Sequence, residues 1–381
     1  MASKKQKTVR AGRSSPVSKA WPPHLKARLS QLRRRMRDAG VDGMLVSNPI
    51  ELEYLIGFHA ENAWLVVTAR AATLLSDRRF EEQLARQVPY VRAIMRKQGL
   101  AKELKKLADR YHIQKLAIQA DHLTVNARQA IVKQLGGSAL EHTEGWLLEQ
   151  RAVKDDTEVR AIRQAIRIQE RAFADFQAFA EPGMRERDLC AYLEYCMKCH
   201  GSDGPSFPTI VAANANSSIP HHMPGPTRWK KHQPLLIDFG ALHQGYCSDM
   251  TRVLTAGAMS KQLQRIYQIV RQAKAAGVRA VAPGVSCEAV DRAARQIIEE
   301  AGYGDQFSHG LGHGIGMEVH ESPRLGKKQK HQLRPGEVIT IEPGIYLPGV
   351  GGVRLEDDVL VTETGHRNLS RLTTDPDAMT L

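Results

Sequence analysis

Hydrophobic positions along this chain fall into two alternating rhythms. Over residues 24–38, Leu25, Leu29, Leu32 and Met36 recur at spacings of four, three and four, which predicts an amphipathic helix with arginines on its outer face. Short apolar runs at 43–46, 64–68 and 72–75 read as strands. Helical patterns over 80–87 and 123–135 alternate with them, so a small α/β domain is expected to end near residue 150. Further on, helical patterns at 156–180 and 185–200 precede strand-like 209–213, 235–240 and 246–254. Two more helical patterns, 260–281 and 286–301, precede strand-like 338–342 and 353–361. In each half the second helix follows a Pro-Gly pair, Pro182-Gly183 and Pro283-Gly284. That pair commonly precedes helices, but the repeated order of elements predicts an internal duplication of about 100 residues.

The 381 residues are too many for one ordinary domain. Three regions are expected: a basic tail at 1–22, an α/β domain at 23–150 and a second domain at 151–381. With 42% apolar and 25% charged residues the chain has the balance of a soluble globular protein. No run approaches the roughly 18 apolar residues that a membrane-spanning helix needs. The net charge of +13 suggests nucleic acid until it is located. Residues 1–38 carry 12 Lys and Arg against Asp38 alone, which leaves +2 for the rest. The tail has no apolar signal core and reads as a solvated, disordered arm, with contact to nucleic acid or a membrane surface as the sharper alternative. Five cysteines and no export signal point to reduced thiols and a cytoplasmic location.

Acids embedded in apolar strands change the picture. Asp238 interrupts Leu235-Leu236-Ile237, and Asp249 lies on the next strand. A hairpin closing at His243-Gln244 would set the two directly opposite, with Cβ atoms roughly 5 Å apart, where like charges repel. A second hairpin centred on Gly349 would pair Glu342 with Glu356. Buried unpaired carboxylates cost several kcal/mol each, so arginines, shared protons or cations must neutralise them. Arg252 and Arg354 are available, but four carboxylates exceed what two arginines balance. One divalent metal, or two, fits better.

Between the hairpins runs HGLGHGIGMEVHE at 309–321, with glycines that would let backbone approach a ligand closely. Its glycine spacing matches neither a Walker loop nor a dinucleotide fingerprint, and there is no His-Glu-x-x-His. Three histidines in twelve residues beside four acids form a metal-site constellation. Cys196-Met197-Lys198-Cys199-His200 matches the c-type haem attachment pattern; on a helix of an unexported chain it reads as coincidence, although thiols one turn apart could respond to oxidants.

Together these pieces resemble the pita-bread metallopeptidases, the family of methionine aminopeptidase, Xaa-Pro aminopeptidase and Xaa-Pro dipeptidase (prolidase). IDFGA at 237–241, SDMTR at 248–252, the glycine-histidine segment, IEPGIY at 341–346 and RLED at 354–357 fit in order and spacing over 155–366. Residues 47–58 and 76–80 resemble the smaller N-terminal domain of the proline-specific and creatinase branches. The implied fold is an α/β (α+β) chain: a creatinase-like N-terminal domain, then a pita-bread domain with a pseudo-twofold duplication.

The resemblance implies a site of two divalent metal ions held by Asp238, Asp249, His313, Glu342 and Glu356, with Asp249 and Glu356 bridging. An oxygen-rich donor set suits Mn²⁺ first, with Co²⁺ or Zn²⁺ as alternatives. It further implies attack of a metal-bridged hydroxide on the scissile carbonyl, Glu342 carrying the proton to the leaving proline nitrogen. His221 is the substrate-side histidine, with His222 the weaker candidate. His320 contacts the carbonyl or leaving group, and His309 and Arg354 bind a C-terminal proline carboxylate. For Arg354 the plainer alternative is pairing with Glu356 or Asp357. The expected activity is hydrolysis of Xaa-Pro dipeptides by a cytoplasmic homodimer. An Xaa-Pro aminopeptidase acting on longer peptides is the alternative, and a non-catalytic binding module of the same fold the more remote one.

Overall fold

The computed structural model describes residues 20–136 and 140–381; all of the basic tail before residue 20 lies outside them. The chain divides into two compact units after Leu147.

Among the described residues, the first unit is built on a six-stranded mixed sheet. Its strands are β1 (Gly43–Val46), β2 (Trp64–Thr68), β3 (Ala72–Ser76), β4 (Arg92–Met95), β5 (Leu116–Gln119) and β6 (Leu140–Thr143), in the spatial order β4-β3-β2-β1-β5-β6. Its helices are α1 (Pro23–Asp38), α2 (Pro49–Ile56), α3 (Glu81–Gln87), α4 (Leu100–Tyr111) and α5 (Val125–Leu135). Helix α1 buries the expected stripe of Leu25, Leu29, Leu32 and Met36. Helix α2 starts where the Asn48 side chain accepts from Ile50 N with Pro49 in the first turn, and stops at Gly57 in the left-handed region. The short helix α6 (Trp146–Ala152) spans the division.

The second unit opens with α7 (Asp156–Phe179), which begins in a reciprocal capping box between Asp155 and Glu158, and α8 (Glu186–Cys199). Strands β7 (Gly204–Pro205), β8 (Ile210–Ala213), β9 (Pro234–Phe239), β10 (Ala241–His243), β11 (Tyr246–Cys247) and β12 (Met250–Thr255) follow. Helices α9 (Lys261–Ala280) and α10 (Cys287–Glu300) then precede β13 (Gly312–Gly314), β14 (Glu321–Leu325), β15 (Val338–Ile341), β16 (Gly344–Leu347), β17 (Gly351–Arg354), β18 (Asp357–Thr362) and β19 (Gly365–Asn368).

The repeated order extends to backbone detail. Gly183 N bonds Trp229 O, Glu186 N bonds Thr227 O and Arg187 N bonds Gly225 O at the start of α8. Gly284 N, Cys287 N and Glu288 N make the matching bonds to Leu333 O, His331 O and Gln329 O at the start of α10. Both glycines have positive φ, as a turn leading into a helix requires.

Alternation along the strands explains where the acids point. Leu235, Ile237 and Phe239 of β9 pack with Phe173, Phe176, Leu189 and Leu193 of α7 and α8. Leu236, on the opposite face, packs with Val253, Ile266, Val270 and Val353 on the α9–α10 side. Asp238 shares the Leu236 face by period two. Thr251 shares that of Val253, so the acids lie between the layers rather than against the first helix pair.

The first hairpin differs from expectation. It closes at Gln244-Gly245, both with positive φ as a two-residue type I′ turn requires, so Asp238 pairs with Thr251 and not with Asp249. A slip of two residues keeps every side chain on its face, which leaves Asp249 diagonal to Asp238. The second hairpin has the expected register: Ile341 pairs with Asp357 and Gly344 with Arg354, centred on Gly349, which sets Glu342 opposite Glu356.

Candidate metal centre and active site

All nine residues singled out in the sequence line one cavity of about 910 Å³: His221, Asp238, Asp249, His309, His313, His320, Glu342, Arg354 and Glu356. At its floor, single ligand atoms of Asp249, His313 and Glu356 lie within 4.8 Å of one another. His313 Nε2 is 3.3 Å from Glu342 Oε1 and 3.7 Å from Asp249 Oδ2. Its Nδ1 is 3.1 Å from Gly314 O, and since a carbonyl can only accept, the ring proton sits on Nδ1 and Nε2 faces the carboxylates as a ligand would.

The electrostatics test whether cations fit. Burial, then the charges of Glu356 and Asp238, push the Asp249 carboxyl far above its ordinary range. Burial and the neighbouring Glu342 and Asp238 do the same to Glu356. Burial pushes Asp358, whose Oδ2 accepts from Asp249 N, up to about 8. Burial would raise Glu342 as well, but its bond to His313 brings it down to about 2. His313 is raised in turn: burial opposes its charge, and Glu342 outweighs burial. Asp238 Oδ1, Asp249 Oδ1 and Asp358 Oδ1 are buried without a hydrogen-bond partner. Three carboxyls pushed toward their neutral form, with orphaned oxygens and one imidazole aimed among them, are a donor set that lacks positive charge. The residues fit divalent cations with a preference for oxygen ligands.

The arginines divide the work differently from the sequence reading. Arg252 does not serve the cluster; it pairs with Asp357 at 2.8 Å, and Lys274 holds the other oxygen of that carboxylate. Arg354 pairs with neither Glu356 nor Asp357. Its Nη2 donates to Asp238 at 2.6 Å, Nε to Thr251 Oγ1 at 3.0 Å and Nη1 to Tyr346 Oη at 2.8 Å. Thr251 Oγ1 then donates to Glu356 Oε2 at 2.7 Å. Tyr346 Oη is also 2.9 Å from His309 Nε2, while His309 Nδ1 faces Gly310 O at 2.8 Å, so the phenol donates to the imidazole. Burial pushes the Tyr346 phenol up to about 12, which keeps it a donor. Facing the open cavity instead is the exposed Arg324 on β14, directly across from His313.

Each histidine outside the ligand cluster stands on a segment tied down by buried charge. Beside His221, His222 also lines the cavity and meets Glu186 at 2.9 Å. Arg295 of α10, held by Asp291, donates to Phe307 O and His309 O. Glu321 is paired with Arg151 and Lys154 and accepts from Glu318 N, which fixes the turn before His320; that ring stands edge-on to His313 at 4.3 Å. Backbone crowds these glycines: a Cβ at Gly312 would lie 2.0 Å from Thr340 O and one at Gly314 2.2 Å from Ser322 O, and Gly310 and Gly312 also line the cavity. Asp358, Tyr346, Arg324, Glu186 and Glu321 were not found in the sequence, although Asp358 immediately follows the RLED motif. Cys196 is buried and Cys199 exposed at the end of α8, and His200 bonds Asp175.

Residues 160–363 match the metallopeptidase family M24, and residues 28–153 match the creatinase/prolidase N-terminal domain. The chain belongs to metallopeptidase family M24. It is therefore a metallopeptidase with a creatinase-like domain ahead of a pita-bread domain. An Xaa-Pro dipeptidase of Pyrococcus furiosus is 33% identical over 91% of this chain and 98% of its own. The solved structure of an Xaa-Pro dipeptidase from Bacillus anthracis superposes with a TM-score of 0.90 at 32% identity, covering 94% of this chain and 100% of the other. That of an X-Pro aminopeptidase from Thermotoga maritima superposes with a TM-score of 0.85 at 32% identity, covering 90% and 99%. Among the described residues no helix is long and apolar enough to cross a membrane.

Proposed function

We propose that this M24 enzyme hydrolyses Xaa-Pro dipeptides with two divalent cations, Mn²⁺ first among them, held by Asp238, Asp249, His313, Glu342 and Glu356. The convergence of those five side chains with unpartnered buried oxygens carries the reading. Bound there, divalent cations lower the pKa of a water and polarise a peptide carbonyl. The protein's own groups do the rest. Glu342 takes a proton from the attacking water and carries it to the leaving proline nitrogen. His320, exposed in the cavity beside His313, donates toward the carbonyl oxygen. His221 and His309, both in the cavity lining, orient the substrate.

Arg354 spends its donors on Asp238, Thr251 and Tyr346, so it orients a ligand rather than meeting the substrate. Arg324, exposed in the cavity wall, is the guanidinium that receives the free proline carboxylate. That carboxylate is what a dipeptide has at this place and a longer peptide lacks. The Xaa-Pro aminopeptidase reading rests on the Thermotoga structure. Release of proline from Ala-Pro, compared with release of alanine from Ala-Pro-Ala under the same Mn²⁺ concentration, separates the two. Preference for the dipeptide is expected, and preference for the tripeptide overturns the assignment.

A further inference from the structure

The loop between β8 and β9 carries His221 into the cavity, and its shape is set by one carboxylate from outside the site. Glu186, the first residue of α8, is completely buried. Its Oε1 accepts from Ala213 N and Asn216 Nδ2, both at 2.8 Å; its Oε2 accepts from Gly225 N and His222 Nε2, both at 2.9 Å. These four donors lie at the end of β8, in the 3₁₀ turn of the loop (Asn214–Ser218), beside His221 and, past it, at Gly225. Burial alone would raise this carboxyl, yet the donors bring it below its ordinary value.

His221 and His222 both line the cavity, and the His222 ring is held at 2.9 Å against the buried Glu186, so this carboxylate fixes the backbone from which the adjacent His221 projects. The loop meets the metal-side strands as well: Gly352 N donates to Ser217 Oγ at 2.8 Å. The repeat makes the placement specific. The backbone position that matches Glu186 at the start of α10 is Cys287, which cannot accept from four donors, and the corresponding half anchors its histidine segment through Arg295 instead.

We infer that Glu186 is a positioning residue for the reaction, acting through His222 to hold His221 at its substrate-facing angle. The inference rests on the proposed peptidase reading for its kinetic consequence. A carboxylate is required chemically, because it accepts on both oxygens. An amide in its place turns one NH₂ onto Gly225 N or Ala213 N, and the shorter Asp does not reach both ends of the loop.

The test is a double-mutant cycle on the metal-loaded full-length enzyme with Ala-Pro as substrate. Glu186→Gln is expected to lower kcat/KM by about tenfold or more, in line with the cost of misplacing a positioned group, but by less than twofold when His221→Ala is already present. Equal losses in both backgrounds would overturn the inference, since a merely structural defect does not depend on His221. His222→Phe, which removes one donor and leaves the other three bonds of Glu186, keeps the test informative if Glu186→Gln does not fold, and the same non-additivity with His221→Ala is expected of it. Ring ¹⁵N–¹H spectra of the histidines read the geometry without any turnover. Both substitutions should move the His221 signals, even if the chain turns out to cleave some other peptide. Unmoved His221 signals refute the inference whatever the substrate is.

Discussion

Replacing Glu321 by Gln tests whether buried charge holds the turn that carries His320. The Glu321 side chain is fully buried; it meets Arg151, bonds Lys154 Nζ at 3.3 Å and accepts from Glu318 N at 3.0 Å. Gln keeps the shape and removes the charge, leaving two buried cations without the carboxylate between them. Breaking such a pair costs about 3–5 kcal/mol. At about 2–4 °C per kcal/mol for a unit of this size, Tm should fall by roughly 6–20 °C. The pH dependence has a definite sign. Burial pushes the Glu321 carboxyl up, but Lys154 and Arg151 outweigh it and the net shift is downward from 4.5. The folded-state pKa is thus below the unfolded one, so the stabilisation is complete above the unfolded value and is lost as pH falls through the folded value. Urea unfolding of both proteins from pH 7 to pH 3 should show a constant gap down to about pH 5, narrowing below that. A gap under about 1 kcal/mol at pH 7, or one that widens in acid, would refute the reasoning.

Three further outcomes follow from the same geometry. Tyr346→Phe removes the hydroxyl between Arg354 and His309; steady-state kinetics should show kcat/KM about tenfold lower, the equivalent of one hydrogen bond of about 1.4 kcal/mol, with Tm within a few degrees of wild type. Arg324→Met should raise KM for Ala-Pro at least tenfold with little change in kcat, and should barely affect the carboxamide of the same dipeptide, which has no carboxylate to bind. Gly312→Ala drives a methyl onto the Thr340 carbonyl, which as backbone cannot yield; thermal melts should show a loss of at least about 1–3 kcal/mol, and an unchanged Tm would contradict the packing described.

Periodicity made the elements legible, because a strand buried on both faces and a helix with one apolar stripe leave different spacings. The second carboxylate pair was legible to the residue, since Pro348-Gly349 and the flanking glycines allow the chain to reverse at one place. The first was misplaced by two positions. Gln244 is not a residue whose left-handed conformation composition reveals, so His243-Gln244 looked as good a turn as Gln244-Gly245. The error did no harm to the site, because a slip of two preserves the face. Tertiary pairing stayed hidden: nothing local distinguishes Arg252, bound to Asp357, from Arg354, bound to Asp238, as each lies within a strand a few residues from an acid. Glu186 and Glu321 were invisible for the same reason. A buried acid at the start of a helix or turn reads like any capping residue until the loop it holds is seen. The glycines of 310–316 mark close approach in the sequence, and the neighbouring strand's backbone, which crowds Gly312 and Gly314, is the part of it that only the fold reveals.

The proposed function requires that Asp238, Asp249, His313, Glu342 and Glu356 form a metal centre on which activity depends. Its most direct test is to strip the full-length enzyme with a chelator and titrate Mn²⁺ back, following both bound metal and proline release from Ala-Pro, in wild type and in Asp249→Asn. The stripped enzyme should be silent and regain activity as binding saturates near the proposed two ions per chain, while Asp249→Asn, which loses one of the proposed ligand carboxylates, should bind fewer ions and stay below about 1% of wild-type activity. Proline release that persists in metal-free protein, or an Asp249→Asn variant as active as wild type, would contradict it.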